Sequence, residues 1–239
     1  MILTEANYYS AEANEEYMSV SQYKQFLKCE AAAMAQLKGQ WETPKTTAML
    51  VGSYVDAWFE GTLGQFYEEN PQIFKKDGSL KADYLQAVEI IDRVQRDELF
   101  MEYMAGKKQV IRTAELFGAK WKIKIDSRHR DKIVDLKVMR SMERVMGKSF
   151  VEYWGYDLQL AVYAAVEEKA LKRKTPFATY LAVVTKQTPA DMEIIEVPQW
   201  RRDELLDEVE KEMPHIIKVK SGEIPPQRCG VCEYCRATK

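Results

Sequence analysis

The chain has 239 residues, of which 46% are hydrophobic and 30% charged. That is too apolar for a disordered chain and fits one large domain or two small ones, at roughly 100 to 200 residues per domain. The 35 Lys and Arg nearly balance the 37 Asp and Glu, a net charge of −2, which argues against a surface that coats nucleic acid indiscriminately. No run approaches the roughly 18 apolar residues of a membrane span. The opening MILTEANYYS lacks the basic-then-apolar layout of a signal peptide, so a cytoplasmic location is expected.

Charge is unevenly distributed. Residues 107–148 hold 13 Lys and Arg against 5 Asp and Glu, a net +8, and the remainder therefore carries −10. A basic middle within an acidic frame suits a phosphate-binding cleft and equally a solvated basic face.

Ser19-Val-Ser-Gln22 reads as a capping box, and Tyr23, Phe26, Leu27, Ala31 and Met34 follow at helical spacing, which predicts a first long helix carrying Cys29. A second helix over 46–68 contains GSYVDAWFEG, and a third over 81–105 ends near Gly106, so residues 1–106 are expected to be mostly helical. Period-two alternation then predicts a three-stranded meander over 108–117, 119–127 and 131–138, the first two joined at Phe117-Gly118. In the second strand Trp121, Ile123 and Ile125 face one side, and Lys120, Lys122, Lys124 and Asp126 the other. In the third, Asp135 and Lys137 lie opposite Val134, Leu136 and Val138, so one face collects two carboxylates and several lysines. A helix over 149–172, strands in PFATYLAVV and MEIIEV, and a last helix from Pro198 to about Met213, stopped by Pro214, complete the pattern. With no repeat or linker, the reading is one α/β domain over 1–239, its core at 107–198 and a C-terminal helix with a Cys-rich tail at 199–239.

Asp126, Asp135 and Lys137 have the makings of a magnesium-dependent phosphodiesterase. Carboxylates are hard ligands for Mg²⁺ or Mn²⁺, and a lysine beside the ion can orient water or steady negative charge. Acid-x-Lys alone is weak, since it recurs at Glu167-Glu168-Lys169, where a solvated helix face is expected. Context is what counts: V-D-L-K stands nine residues after I-D, with G-S-Y-V-D upstream and Q-L-A-V-Y downstream. The four cysteines, Cys29, Cys229, Cys232 and Cys235, end in a C-x2-C-x2-C run that points to metal rather than to disulfides. Only His129 and His215 are available for a triad, and both read as surface residues. Neither G-x-G-x2-G nor a P-loop occurs. Tyr153, Trp154 and Tyr156 read as core.

In this ordered set the sequence resembles the PD-(D/E)xK nuclease superfamily, in the exonuclease branch of RecB, AddB, lambda-type exonuclease and the phage exodeoxyribonuclease VIII (RecE-like) proteins. The resemblance implies a restriction-endonuclease-like α/β fold, a central mixed sheet flanked by helices. It implies a Mg²⁺- or Mn²⁺-dependent DNA exonuclease in which Asp126 and Asp135 hold metal with the Leu136 carbonyl, and Lys137 is catalytic. Gln159 and Tyr163 fall on the Q-x3-Y motif, and Asp56 stands where the family's G-x3-H motif has histidine, with Glu60 and Glu115 as weaker candidates. The one-plus-three cysteine order of Cys29 with Cys229, Cys232 and Cys235 is similar to that of AddB-type nucleases, which implies a [4Fe-4S] cluster. The late spacing is tighter than C-x2-C-x5-C, and Zn²⁺ stays open. Linear DNA ends and a single-strand annealing protein are the implied partners. The rivals are a non-catalytic nucleic-acid-binding protein on a degenerate nuclease fold and a structure-specific endonuclease with the same site.

Overall fold

The computed structural model describes residues 1–44 and 46–239. Helices α1 (Ala11–Glu16), α2 (Val20–Lys28), α3 (Glu30–Leu37), α4 (Thr47–Glu60), α5 (Leu63–Glu69), α6 (Ala82–Val94) and α7 (Glu98–Met104) precede the sheet. Strands β1 (Lys107–Leu116), β2 (Ala119–Arg128) and β3 (Lys132–Met139) follow, then α8 (Phe150–Trp154) and α9 (Tyr156–Ala170). Strands β4 (Ala178–Thr185) and β5 (Met192–Glu196) lead to α10 (Gln199–Ser221) and α11 (Glu233–Ala237). No helix among the described residues is long and apolar enough to cross a membrane.

The helical first part, the three-stranded meander and the later strands are where the sequence places them. The long helices, however, are each broken. Cys29 is extended (φ −169) and both ends α2 and begins α3. Gly61 separates α4 from α5, and Asp97 opens α7 by accepting a hydrogen bond from the Phe100 N–H at 2.8 Å. Gly155, in the left-handed conformation (φ 61, ψ 43), separates α8 from α9, a position where glycine avoids the Cβ penalty. Conversely, α10 runs through Pro214 instead of stopping there. An interior proline costs about 3 kcal/mol, but Leu205, Val209, Met213, Ile216 and Val219 on α10 are buried on both sides of it, and that burial outweighs the loss.

The five strands lie in the order β1-β2-β3-β4-β5, with β3 and β4 parallel and the other neighbours antiparallel. This is the mixed sheet expected. Trp121, Ile123, Ile125, Ile133, Leu181 and Val183 face a core closed by α2, α9 and α10. Val134, Leu136, Ala182 and Val184 face a second core closed by α4 and α6. The hairpin between β1 and β2 turns on two left-handed residues, Phe117 (φ 53) and Gly118 (φ 78), suited to the twist of paired strands.

One irregularity organises the rest. Strands β2 and β3 pair only at Ser127 with Val134 and Arg128 with Ile133, and then diverge. Part of the β2 edge thus freed is taken by Met18, whose N–H donates to the Lys120 carbonyl at 2.7 Å while its carbonyl accepts from the Lys122 N–H at 2.8 Å. The fork between the strands is therefore walled by the N-terminal segment.

Candidate active site

Asp126 lies on β2 at the point where the fork opens, and Asp135 on β3 one residue past the last paired position. With no strand partner from β2, the Leu136 N–H donates to Asp126 Oδ2 at 2.9 Å, so the carboxylate spans the gap. Gln109 Nε2 donates to the other oxygen at 3.3 Å. Asp135 is 2% exposed. Gln159 Nε2, from α9, donates to its Oδ1 at 2.7 Å, and the Lys137 ammonium forms an ion pair with its Oδ2. Asp56 on α4, together with Lys137, Gln159 and Tyr163, completes the lining of a cavity of ≈ 480 Å³. Asp56, Asp126, Asp135, Leu136, Lys137, Gln159 and Tyr163 therefore all line one cleft.

Electrostatics follow from burial. Desolvation, with Asp126 adding repulsion, raises the Asp135 carboxyl to about 6, against the pull of Lys137. The same two causes push Asp56 well above the ordinary carboxylate range. Burial works to lower the Lys137 ammonium, but Asp135 and Asp126 overcome it and hold it above its usual value. Burial also raises the Tyr163 phenol, with Tyr8 and Asp135 reinforcing it. Asp126 and Asp135, with Asp56 lining the same cavity, are hard oxygen donors on a partly desolvated wall, the donor type that Mg²⁺ and Mn²⁺ take. Glu60 lines an adjoining cleft with Asp56, Asp126 and Lys108. Glu115 does not reach the site, being exposed on β1 opposite Lys120.

The basic stretch divides by role. Arg112 and Arg128 pair with Glu167 at 3.0 and 2.9 Å, Lys120 with Glu16 and Lys132 with Glu102. Of Glu167-Glu168-Lys169, expected on a solvated helix face, Lys169 is exposed, but Glu167 is 0% exposed and forms a buried clamp between α9 and the β1–β2 hairpin. Lys122, 1% exposed, donates to the Tyr8 carbonyl at 2.6 Å and Asn14 Oδ1 at 2.7 Å, fixing the N-terminal segment. Lys124, Lys137 and Lys108 face the carboxylate clefts, and Arg140 lines the wider one beside them. His129 is half-buried, its Nε2 2.7 Å from the Tyr103 carbonyl, and His215 Nε2 lies 2.7 Å from Glu30, so neither enters the site.

Two features escape a reading from sequence alone. Tyr8 and Tyr9, ahead of α1, line the ≈ 480 Å³ cavity. Trp154 and Tyr153, expected in the core, are 50% and 38% exposed, and Trp154 lines a cleft of ≈ 1520 Å³ that shares Asp56, Leu136, Lys137 and Gln159 with the cavity. A tyrosine pair in a polar segment before a helix cap was the available signal for the first. Glycine directly after Trp154 was the signal for the second.

The four cysteines form a separate centre. Their sulfurs all lie within 4.8 Å of one another, with Cys29 Sγ at 3.6 Å and Cys229 Sγ at 3.9 Å from Cys235 Sγ. The break at Cys29 presents its sulfur, and the tail is anchored beside it: the Ala31 N–H donates to the Gln227 carbonyl at 3.0 Å, and the Gln227 N–H to Glu30 Oε2 at 2.8 Å. Backbone N–H groups of Val231 and Cys232 lower the Cys229 thiol to about 6, favouring the thiolate that a metal requires. A tetrahedral ion with metal–sulfur bonds near 2.3 Å sets its sulfurs about 3.8 Å apart. A [4Fe-4S] cluster binds each thiolate to a different iron and holds them farther apart. Four free thiols gathered in this way could hold a metal ion.

No curated protein matches the chain. Over its full length it is similar to a crystal structure from Eubacterium rectale that bears the name "Putative exonuclease", at 51% identity and a TM-score of 0.95, covering 94% of that chain. A structure of SSO0001 aligns with 89% of this chain and 92% of its own at 14% identity and a TM-score of 0.32, too distant to bear on fold or function. Residues 19–238 match the family model described as a PDDEXK-like domain of unknown function (DUF3799). The chain therefore belongs to that PDDEXK-like family, within the PD-(D/E)xK nuclease superfamily.

Proposed function

We propose that the protein is a metal-dependent DNA exonuclease that hydrolyses phosphodiester bonds at linear ends, in phage-type recombination, with a single-strand annealing protein taking up the strand it exposes. The observation that carries this reading is the convergence of Asp126, Asp135 and Lys137 at the β2–β3 fork, with Gln159 on Asp135 and Asp56 across the cavity. The name borne by the similar Eubacterium rectale protein supports it.

Asp56, Asp126, Asp135 and the Leu136 carbonyl would hold Mg²⁺ or Mn²⁺, which when bound supplies Lewis-acid polarisation and acidifies water. The chain's own groups do the rest. Lys137, kept protonated by its carboxylate neighbours, orients the attacking water and steadies charge on the phosphate. Gln159 holds Asp135 in place through a donated N–H, and Tyr163, one helical turn on, closes the wall of the cavity. Lys124 and Lys108 contact the DNA backbone without reading sequence. The cysteine centre is structural, joining the start of α3 to the tail, and its sulfur spacing favours Zn²⁺.

The test is degradation of end-labelled linear duplex and of a covalently closed circle with Mg²⁺ or Mn²⁺, comparing wild type with Lys137→Ala. Wild type is expected to consume only the linear DNA. The variant is expected to lose about 10²- to 10⁴-fold in rate, the usual worth of one positioned catalytic group. Cutting of the circle turns the reading to the endonuclease. DNA binding without cleavage, unchanged by Lys137→Ala, turns it to the non-catalytic binding protein.

A further inference from the structure

We propose that the cleft takes its DNA as an unpaired strand, with nucleobases stacked on Trp154 and Tyr9 on opposite sides of the scissile phosphate. The inference rests on the nuclease reading above and adds the form of the substrate.

The two clefts that meet at Asp56, Leu136, Lys137 and Gln159 each carry one exposed aromatic ring. Tyr9, 73% exposed, lines the ≈ 480 Å³ cavity, and Trp154, 50% exposed, lines the ≈ 1520 Å³ cleft. Singly exposed apolar side chains are ordinary on a protein surface. These two differ because the phosphodiester site lies between them and because both are held in place.

Trp154 ends α8, where the left-handed Gly155 turns the chain, and its carbonyl accepts from Lys24 Nζ at 2.9 Å. A Cβ at Gly155 would come within 3.2 Å of the Lys24 side chain, so this corner is closely fitted. The rings of Tyr153 and Trp154 stand perpendicular with centroids 4.9 Å apart, which braces the half-exposed indole. On the other side, Tyr8 meets Tyr9 edge-on at 4.9 Å, and the Tyr8 carbonyl is held by buried Lys122.

Cations accompany each ring. Lys124 Nζ lies 5.7 Å from the Tyr9 centroid, and exposed Arg140 lines the Trp154 cleft. The loop that carries β3 into α8 adds exposed Arg144 and Lys148, with Glu143 as its acid. A cationic track interleaved with aromatic faces is how proteins hold single strands without regard to sequence, because every unpaired base offers a π-face. Within a duplex those faces are already stacked, and only backbone phosphates face a groove of this kind. The rings therefore distinguish the two forms of DNA.

The test measures binding and turnover separately, on the full chain. Fluorescence anisotropy with a labelled oligothymidine and with a blunt hairpin duplex, in Ca²⁺ buffer, compares wild type, Trp154→Ala, Trp154→Phe and Tyr9→Ala. Trp200→Ala serves as control, its exposed indole lying on α10. Stacking is worth about 1–3 kcal/mol per base, so each alanine variant should weaken single-strand binding about 5- to 150-fold. Duplex binding should be unchanged, Trp154→Phe should recover most of the loss, and Trp200→Ala should match wild type. In Mn²⁺ the Trp154→Ala loss should fall on KM and spare kcat. Wild-type single-strand affinity in both alanine variants, or equal loss on duplex, overturns the proposal. Absence of hydrolysis with the expected binding pattern defeats the nuclease reading and leaves the stacking intact. Hydrolysis with unaltered binding does the reverse.

Discussion

Asp135 is held in the fold against its own charge, and Asp135→Asn should therefore stabilise the metal-free protein while abolishing turnover. Its carboxyl titrates at about 6 in the folded chain against 3.8 ordinarily, chiefly because burial disfavours the ion, with Lys137 opposing and Asp126 adding to the shift. At about 1.4 kcal/mol per pH unit, the ionised form costs about 3 kcal/mol at neutral pH. A group whose folded value is raised supports the fold below its unfolded value and loses that support as pH climbs through the folded one. Wild type and variant should thus melt alike near pH 4 and separate between pH 4 and 6. Above that the gap should hold at about 6 to 12 °C in favour of the variant, taking 2–4 °C per kcal/mol for a chain of this size. The assay is thermal unfolding followed by circular dichroism in chelator, across that pH range. Adding Mn²⁺ should raise the wild type and leave the variant little changed, narrowing the gap. If Asp135→Asn melts below wild type at pH 7 in chelator, the lost pairing with Lys137 outweighs the burial cost, and the electrostatic account of the site is wrong.

The cysteine centre makes a compositional prediction: purified full-length protein should carry about one zinc per chain and lack the visible absorption of an iron–sulfur chromophore, whereas four irons per chain would rule out the single-ion assignment. Cys232→Ser should lower zinc occupancy and the melting temperature together. The buried clamp at Glu167 makes a mechanical one. Glu167→Ala leaves Arg112 and Arg128 without their shared partner and should cost about 3–5 kcal/mol, the lower end being expected because both guanidinium groups are partly exposed. Chemical denaturation reads this directly, and a loss below 1 kcal/mol would mean that the arginines simply turn to water.

How much of this was legible in the sequence depends on how far apart the determinants lie. Alternation sets Asp126 against Trp121, Ile123 and Ile125 but gives Asp135 and Lys137 the parity of Ile133, which packs in the same core as those three. The single face expected for the acids therefore does not arise by alternation, and they meet across the fork instead. Gln159 and Tyr163 were named by their resemblance to the Q-x3-Y motif, and helical spacing adds only that i and i+4 on α9 can reach the sheet together. The aromatic run at Tyr153, Trp154 and Tyr156 misled because it looks continuous, although Gly155 divides it between two helices and turns Trp154 outward. Pro214 misled in the opposite sense, a local stop overridden by tertiary burial along α10.

Charge was the least legible property, and the reason is physical. Counting 13 cations in residues 107–148 says where they are attached, whereas their role is set by partners elsewhere in the chain. Glu16, Glu102 and Glu167 neutralise Lys120, Lys132, Arg112 and Arg128 from three different helices. Lys122 is taken up by the segment that Met18 docks against β2. Of the other eight, Lys108, Lys124, Lys137 and Arg140 look onto the clefts, Lys137 as the ion-pair partner of Asp135. A basic stretch is thus divided by its partners, and the cations that look onto the clefts do so beside the fork left open when β2 and β3 part after two paired residues. The same parting makes room for Asp126 to take the Leu136 N–H, so the irregularity that exposes the cations also seats the acids.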